Sequence, residues 1–287
     1  MRVPEFFLTS VCFLCVENPV GSAEKYKYGG TAFFVSVPSD VLPECGHVYV
    51  VTARHNVIKS AEEGGPLYLR INTEDGGSEF FKIKSDWEYP EDDAVDLAVL
   101  PWDIRPDTHF VVGLIPLDMV VQRETIAQRD IGIGDDLLIA GLFTQRQGST
   151  RNIPVVRQGI IAAMPEEPLE DTNTGLLYDA YLAEVRSIGG LSGSPVFVLW
   201  HGPRNLPGGL HMTGGGVDLL LLGVVRGHWD YKTRRAELDF FGDERETVNM
   251  GMEIVTPAQE IVALLNREDQ VKRRGAINRE EQRRAAL

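Results

Sequence analysis

A serine set among glycines is the stretch of this sequence best suited to nucleophilic chemistry. Ser192 lies in the run from Gly189 to Val198, with glycines before and after it and β-forming residues following at once. Because glycine lacks a Cβ atom, such a segment can turn sharply and bring backbone N–H groups close to a bound carbonyl oxygen. A glycine- and serine-rich loop that enters a strand is the alternative for this segment taken alone. A nucleophilic role therefore requires partner residues elsewhere in the chain.

Two further segments supply the side chains that a serine nucleophile needs. A serine hydroxyl stays protonated at neutral pH, so it needs an adjacent base, and histidine has a suitable intrinsic pKa. His55 follows a β-rich run in the context Thr-Ala-Arg-His. Asp96 lies within an apolar run, where a charge needs a partner, and a buried carboxylate holds an imidazole in one tautomer. An ordinary cap at the start of a strand is the alternative for Asp96.

In this order and in these contexts, the segments around His55, Asp96 and Ser192 resemble the trypsin-like (chymotrypsin-fold) serine proteases. The resemblance implies an all-β fold of two six-stranded antiparallel β-barrels with a C-terminal α-helix. It also implies a serine endopeptidase that hydrolyses peptide bonds through this triad and an acyl-enzyme intermediate. The backbone N–H groups of Gly190 and Ser192 are then expected to form the oxyanion hole, and no metal or cofactor is expected.

Two residues beside Ser192 depart from the digestive enzymes of that family. Leu191 stands where those enzymes carry an aspartate that pairs with a newly cut N-terminus, so activation by such cleavage is not expected. Ser194 gives the form Gly-x-Ser-Gly-Ser-Pro, which is similar to the motif of the bacterial-type glutamyl endopeptidases. The match is incomplete, because the segment that carries a specificity histidine in that branch corresponds here to residues 223–226, which contain none.

The resemblance also indicates which residues line the primary substrate pocket. Two candidates precede the nucleophile and three lie on a later strand: Arg186, Ser187, Arg226, Gly227 and His228. Guanidinium groups in a partly dry pocket favour a carboxylate, because their bidentate pairing with it is geometrically matched. One expectation is therefore a preference for acidic side chains before the cut bond. The alternative is that both arginines pair with acids of the protein itself or point to solvent.

Two other functions remain open from the sequence. The first is a binding or regulatory module of the same fold, whose triad is latent until a partner opens the pocket. The second is a serine hydrolase or esterase that does not act on peptides, although its usual α/β sheet requires strands alternating with helices, a pattern that this chain lacks. The expected partners are a protein or peptide substrate and a regulatory protein.

The net charge and the cysteine count argue against several other kinds of partner and site. The net charge of −14 disfavours nucleic acid as a partner, because phosphate binding needs a basic face. Three cysteines are too few for a disulfide framework. Cys12 and Cys15 fall on opposite faces of one predicted strand, beyond disulfide reach, and only Cys45 is left to complete a zinc site. We expect buried structural thiols.

The apolar stretch of residues 6–16 has some features of a signal-peptide core. Glu5 precedes it, Arg2 is the one early cation, and polar residues dilute the run. We interpret the stretch as containing the first strand of the N-terminal barrel. Because no other segment reaches the length of a membrane span, the sequence predicts a cytoplasmic protein without membrane contact.

Short β-rich segments divide the chain into two sets of about six, which agrees with a double barrel. The predicted strands are residues 10–17, 29–37, 47–53, 67–71, 79–83 and 97–100, then 136–141, 155–162, 177–185, 195–199, 219–225 and 250–256. The predicted organisation is an N-terminal barrel carrying His55 and Asp96, a connector with a helix near residues 119–128, a C-terminal barrel carrying Ser192, and a helix with a charged tail: residues 1–115, 116–130, 131–256 and 257–287.

Three smaller expectations concern helices. Residues 56–59 are predicted to begin a single helical turn after the histidine segment. Thr256 is predicted as the N-cap of the C-terminal helix, with Pro257 at the first helical position, where its missing N–H costs nothing. Residues 267–287 are almost wholly polar and are expected to form a solvated helical extension or a frayed tail.

Overall fold

The structure is a computed structural model that describes residues 3–44, 46–62, 64–102, 109–143, 146–171, 174–185, 191–206, 209–212, 218–232 and 247–286. Two assemblies of strands follow each other along the chain, and two helices end it. No helix in the described residues is both long enough and apolar enough to cross a membrane.

The N-terminal unit is a sheet of seven strands. They are β1 (Val11–Glu17), β2 (Tyr26–Val37), β3 (His47–Thr52), β4 (Leu67–Asn72), β5 (Ser78–Lys82), β6 (Ala98–Trp102) and β7 (Ile115–Pro116). Six of them pair in the order β5-β4-β1-β2-β3-β6, and β7 pairs with β2 in parallel. Every predicted segment of the first set contains a strand, whereas closure into a barrel is not seen among the strand pairs of the described residues.

The C-terminal unit contains a closed barrel of six antiparallel strands. The strands after β7 are β8 (Asp136–Leu142), β9 (Pro154–Ala163), β10 (Leu169–Glu170), β11 (Leu177–Tyr178), β12 (Tyr181–Val185), β13 (Pro195–Trp200), β14 (Pro203–Leu206), β15 (Gly209–Met212), β16 (Asp218–Lys232) and β17 (Thr247–Pro257). The barrel closes in the order β12-β17-β16-β13-β8-β9. The strand predicted over residues 177–185 is therefore two strands, β11 and β12, and the β14–β15 hairpin was not predicted.

Five α-helices lie in the described residues: α1 (Glu5–Thr9), α2 (Arg54–Glu62), α3 (Arg123–Arg129), α4 (Gln259–Leu265) and α5 (Glu268–Ala285). Helix α2 has nine residues and begins before Asn56, so the single turn predicted there was too short. The N-cap of α4 is Ala258 and not Thr256, because pairing of Thr256 with Val224 extends β17 to Pro257. The predicted cap at Thr256 is wrong.

Helix α5 is docked on the N-terminal unit over its first half. Gln270 is 2% exposed. Arg274 donates hydrogen bonds to the Tyr49 hydroxyl at 3.1 Å and to the carbonyl of Leu265 at 2.7 Å, and the Ser39 hydroxyl donates to Asn278 Oδ1 at 3.0 Å. Residues 268–285 thus form a helix that is mostly exposed, in line with the expected helical extension, but Gln270, Arg274 and Asn278 bind the preceding elements and are not fully solvated.

Strand β1 is apolar because both of its faces are buried. Cys12 and Leu14 face the interior of the N-terminal unit, while Phe13 and Cys15 face a second core shared with the C-terminal unit and α4. Burial of an aromatic side chain of this kind stabilises a fold by about 1.5–3 kcal/mol. The continuous apolar run near the N-terminus thus has a packing role in the structure.

The two thiols of β1 are free and lie in different cores, as predicted for opposite faces of one strand. Burial raises the pKa of the Cys12 thiol well above its usual value, and burial also raises that of Cys15. Both residues are therefore inert apolar groups at neutral pH. Cys45 lies outside the described residues.

Candidate active site

His55 and Asp96 meet because of the pairing of two strands. The end of β3 pairs with the start of β6, with Thr52 opposite Ala98. The residues that follow β3 therefore lie beside the residues that precede β6. Both carboxylate oxygens of Asp96 bind His55: Oδ2 lies 2.6 Å from the ring Nδ1, and Oδ1 accepts the backbone N–H at 2.9 Å.

The surroundings of Asp96 keep its carboxyl group ionised. The residue is 7% exposed. Burial acts to raise the pKa of Asp96, but the hydrogen bonds from His55 and the nearby charge of Arg226 outweigh it, so the pKa lies below its usual value. An ionised Asp96 accepts from Nδ1–H, which leaves Nε2 of His55 as an acceptor.

Ser192 places its hydroxyl directly on that acceptor. Its Oγ lies 2.7 Å from His55 Nε2 and 3.3 Å from the carbonyl oxygen of Arg226. The next residue, Gly193, has φ of +83°, which is the left-handed region that favours glycine. A Cβ atom at Gly193 would collide with the carbonyl oxygen of Thr31 and the hydroxyl of Thr52. The glycine after the serine is thus required by both conformation and space.

Three buried polar residues of the N-terminal unit, Thr31, Thr52 and Asn56, hold the Ser192 segment in place. The carbonyl of Ser192 accepts hydrogen bonds from the Thr31 N–H at 3.0 Å and from Asn56 Nδ2 at 3.1 Å. The Thr52 hydroxyl donates to the Thr31 carbonyl at 2.7 Å and accepts from Asn56 Nδ2 at 3.2 Å. The Thr31 hydroxyl in turn accepts the N–H of Leu142 at 3.0 Å. This network ties the serine of one unit to the histidine helix of the other.

Sequence reasoning missed this network. One signal was available in the glycine pair that lies inside the predicted strand 29–37, since an interior strand glycine often marks a close approach. A Cβ atom at Gly30 would lie 2.5 Å from Asn56 Nδ2, so this glycine leaves the space that the amide occupies. Which side chain fills that space could not be deduced from the sequence.

The residues predicted to line the primary pocket are only partly described. Arg186 and Ser187, as well as the oxyanion-hole candidate Gly190, lie outside the described residues. Gly227 lies at an irregularity of β16, where its pairing with β17 shifts register, and His228 follows it as an exposed residue.

The side chain of Arg226 binds the protein itself. Its guanidinium donates to the carbonyl of Ala94 at 2.7 Å and to Asp171 Oδ2 at 2.9 Å. It also lies 3.8 Å from the centroid of the Tyr178 ring, in cation–π geometry. The expected preference for acidic substrates therefore depends on Arg186, which the structure does not describe.

Two other histidines and one aspartate of the described residues have acidic or basic partners of their own. His109 pairs with Glu79 and His201 with Asp136, each at 2.9 Å. Asp93, which neighbours the triad loop in sequence, pairs with Arg54 at 2.8 Å. None of these contacts involves His55, Asp96 or Ser192.

Comparison with solved structures identifies the fold. Human heparin binding protein is similar with a TM-score of 0.50 and 13% identity, over 93% of this chain and 96% of that chain. The active form of the Rv3671c protease from M. tuberculosis gives a TM-score of 0.49 and 18% identity, over 91% and 81%; Deg5 gives 0.42 and 14%, over 72% and 85%. No protein-family model matches the chain, and no curated protein sequence does. The fold is trypsin-like, as the sequence predicted.

Proposed function

We propose that this chain is a serine endopeptidase that hydrolyses peptide bonds through His55, Asp96 and Ser192. The observation that carries the proposal is an unbroken path of short hydrogen bonds. Asp96 Oδ2 lies 2.6 Å from His55 Nδ1, and His55 Nε2 lies 2.7 Å from Ser192 Oγ. These separations are those at which a base can take a proton from a serine hydroxyl.

The reaction follows from the direction of those hydrogen bonds. Ser192 Oγ attacks the carbonyl carbon of the substrate while its proton passes to His55 Nε2, and Asp96 stabilises the imidazolium. The tetrahedral intermediate expels the amine, which takes that proton, and the acyl group remains as an ester on Ser192. His55 then takes a proton from water, which attacks the ester, and returns that proton to Ser192 Oγ as the C–O bond breaks, so that the carboxylic acid product leaves and the free enzyme is restored.

The described loop limits where the oxyanion donors can lie. The N–H of Gly193 donates to the Val225 carbonyl at 2.8 Å, and the N–H of Ser194 donates to the Leu191 carbonyl at 2.9 Å. The N–H groups of Gly193 and Ser194 are thus already engaged, which leaves Ser192 and the residues before it as the donors that this segment could offer to a substrate. Gly190 is the expected second donor, and each such donor contributes about 2.7–4 kcal/mol in the transition state.

A fluorophosphonate probe tests the proposal on the purified chain. We expect stoichiometric labelling at Ser192, located by mass spectrometry, and loss of labelling in Ser192→Ala and in His55→Ala. Hydrolysis of a proteome-derived peptide library, compared with simple esters, then separates an endopeptidase from an esterase. Turnover of esters with no cleavage of any peptide would contradict an endopeptidase.

The second candidate is a binding or regulatory module whose triad is latent until a partner opens the pocket. It is supported by the human neighbour of the same fold, whose name gives it as a binding protein. Heparin itself is a poor ligand for a chain with a net charge of −14, because it is a polyanion. A correctly folded chain that the probe fails to label would favour this candidate. Similarity to glutamyl endopeptidases and a cytoplasmic location both stay predictions.

A further inference from the structure

A cavity of about 540 Å³ lies beside the triad. The loop of residues 90–95 forms one wall, and residues 177–179 form another. Residues 256–267, which run from the end of β17 to the residue before α5, form a third. Arg226 contributes its side chain to the same cavity. Neither His55 nor Ser192 is among the described residues that line it. The volume lies within the range of pockets that bind small ligands or peptide side chains.

Much of the wall is apolar. Val95, Tyr178 and Leu264 line it together with three prolines, at positions 90, 168 and 257. Leu177 also lines it and is 60% exposed, which is unusual for a leucine that borders a cavity. An apolar group of a ligand placed against these side chains would be removed from water.

Four carboxylates give the cavity its charge: Glu91, Asp92, Asp179 and Glu260. Burial raises the pKa of Glu260, and the nearby charges of Asp179 and Asp92 raise it further. Asp92 and Asp179 therefore lie near enough to Glu260 for their charges to act on it. We refer to the space that the four carboxylates line as the acidic cavity.

The two arginines of the acidic cavity do not neutralise these carboxylates. Arg226 is paired with Asp171 at 2.9 Å. Arg267 is paired with Glu88 at 2.8 Å and with Asp269 at 2.9 Å, and it donates to the Tyr89 carbonyl at 3.0 Å. Each cation is thus matched by an acid outside the set of four, so the acidic cavity keeps an excess of negative charge.

A metal ion is not the occupant that this arrangement favours. Among the described residues, no three histidine, cysteine or carboxylate side chains are grouped closely enough to hold one. Separated carboxylates on apolar walls instead suit a cation that carries its charge at the end of a hydrophobic stem.

We propose that the acidic cavity is a second binding site, for a peptide segment in which an arginine or lysine is flanked by apolar side chains. Charge complementarity with the four carboxylates selects the cation, and the apolar walls select its neighbours. A bound peptide would lie against Ala94 and Val95, the two residues that precede Asp96. The proposal concerns binding and does not require the chain to be a protease.

The test uses the full chain with Ser192→Ala and two probes, acetyl-Leu-Arg-Leu-amide and acetyl-Leu-Gln-Leu-amide, by calorimetry. We expect the arginine peptide to bind at least about tenfold more tightly, since hydrogen bonds to charged groups contribute that much. The double variant Asp179→Asn/Glu260→Gln is expected to remove most of this difference. The matched control is Glu24→Gln/Glu74→Gln, which removes the same charge from exposed positions and should change affinity less than twofold.

Two results would overturn the proposal. One is equal binding of the arginine and glutamine peptides. The other is an arginine preference that the Asp179→Asn/Glu260→Gln variant leaves intact while its melting temperature shows it to be folded, since the peptide would then bind elsewhere, as in the substrate cleft.

Discussion

The loop of residues 90–96 borders two environments in which the pKa of a carboxyl group is shifted in opposite directions. At its end, Asp96 is buried against His55, receives two hydrogen bonds from it and has a lowered pKa. On the side of the acidic cavity, half-buried Glu260 faces Asp92 and Asp179 and has a raised pKa. Burial acts in the same direction at both sites. At Asp96 the hydrogen bonds from His55 and the nearby positive charge outweigh burial, whereas at Glu260 burial and the neighbouring acids outweigh the one hydrogen bond from Gln259.

The largest expected effect comes from removing Ser192, on the side of the loop where Asp96 binds His55. Ser192→Ala should lower kcat for peptide hydrolysis by about 10⁶-fold, because the nucleophile is lost, and adding His55→Ala should cost little more. Single-turnover kinetics on one peptide would measure both variants. Glu74→Gln is the control, because it lies on an exposed turn. Losses that multiply in the double variant would contradict action as one unit.

The next effect isolates the carboxylate of Asp96. Asp96→Asn keeps the shape but replaces an acceptor with an amide, which can favour the wrong tautomer of His55, so kcat should fall by about 10⁴-fold. Labelling of Ser192 by the fluorophosphonate probe should slow in parallel. Proton NMR of the His55 ring would show the change of tautomer. An unchanged rate would mean that Asp96 serves only as the cap of the His55 backbone N–H.

The three residues that the structure joins by hydrogen bonds, His55, Asp96 and Ser192, could be singled out in the sequence because each is marked by its neighbours along the chain. Asp96 is conspicuous within an apolar run, and Ser192 within glycines. The apolar strand β1 was also identifiable, although the apolar run that contains it shares some features with a signal-peptide core. These features are local in the sequence, so they can be recognised without any knowledge of the fold.

The supports of the triad could not be predicted in the same way. Thr31 binds both Ser192 and Leu142, more than 100 residues away along the chain. An acid partner for Arg226 was one of the alternatives from the sequence, but Asp171 could not be named, because it follows the short strand β10, which was not predicted. Such contacts depend on how strands from different parts of the chain are brought together.

A smaller effect concerns Arg226, which the two environments share. Arg226→Met should leave Asp171 without its ion pair and lower stability by about 1–3 kcal/mol, as for other partly buried charged hydrogen bonds. The pKa of Asp96 should rise, because Arg226 lowers it, and carbon-13 NMR of its carboxyl carbon would measure this. Arg129→Met is the matched control, since Arg129 also stacks on an aromatic ring and pairs with an aspartate, but in an exposed position. Equal losses in both variants would contradict a special role for Arg226.

The smallest expected effect is on the pH dependence of stability, which should have opposite signs at Glu260 and at Asp96. Glu260 has a raised pKa in the folded state, so its contribution to stability is most favourable below its unfolded pKa of about 4.3 and declines as pH rises through the folded value. At neutral pH the negative charge of Glu260 therefore lowers the stability of the folded state. Glu260→Gln should raise Tm by about 1 °C.

Asp96 should show the reverse dependence on pH. Because the pKa of Asp96 is lowered in the folded state, its contribution to stability is complete above its unfolded pKa of about 3.9. That contribution is lost as pH falls through the pKa of the folded state. Thermal melts of both variants between pH 3 and pH 8 make the test. The gain from Glu260→Gln should vanish below roughly pH 4, where the glutamate is protonated, and the loss from Asp96→Asn should shrink at the lowest pH. A Glu260→Gln variant that melts lower at pH 7 would show that this charge has a stabilising partner, and the contrast between the two sides of the loop would fail.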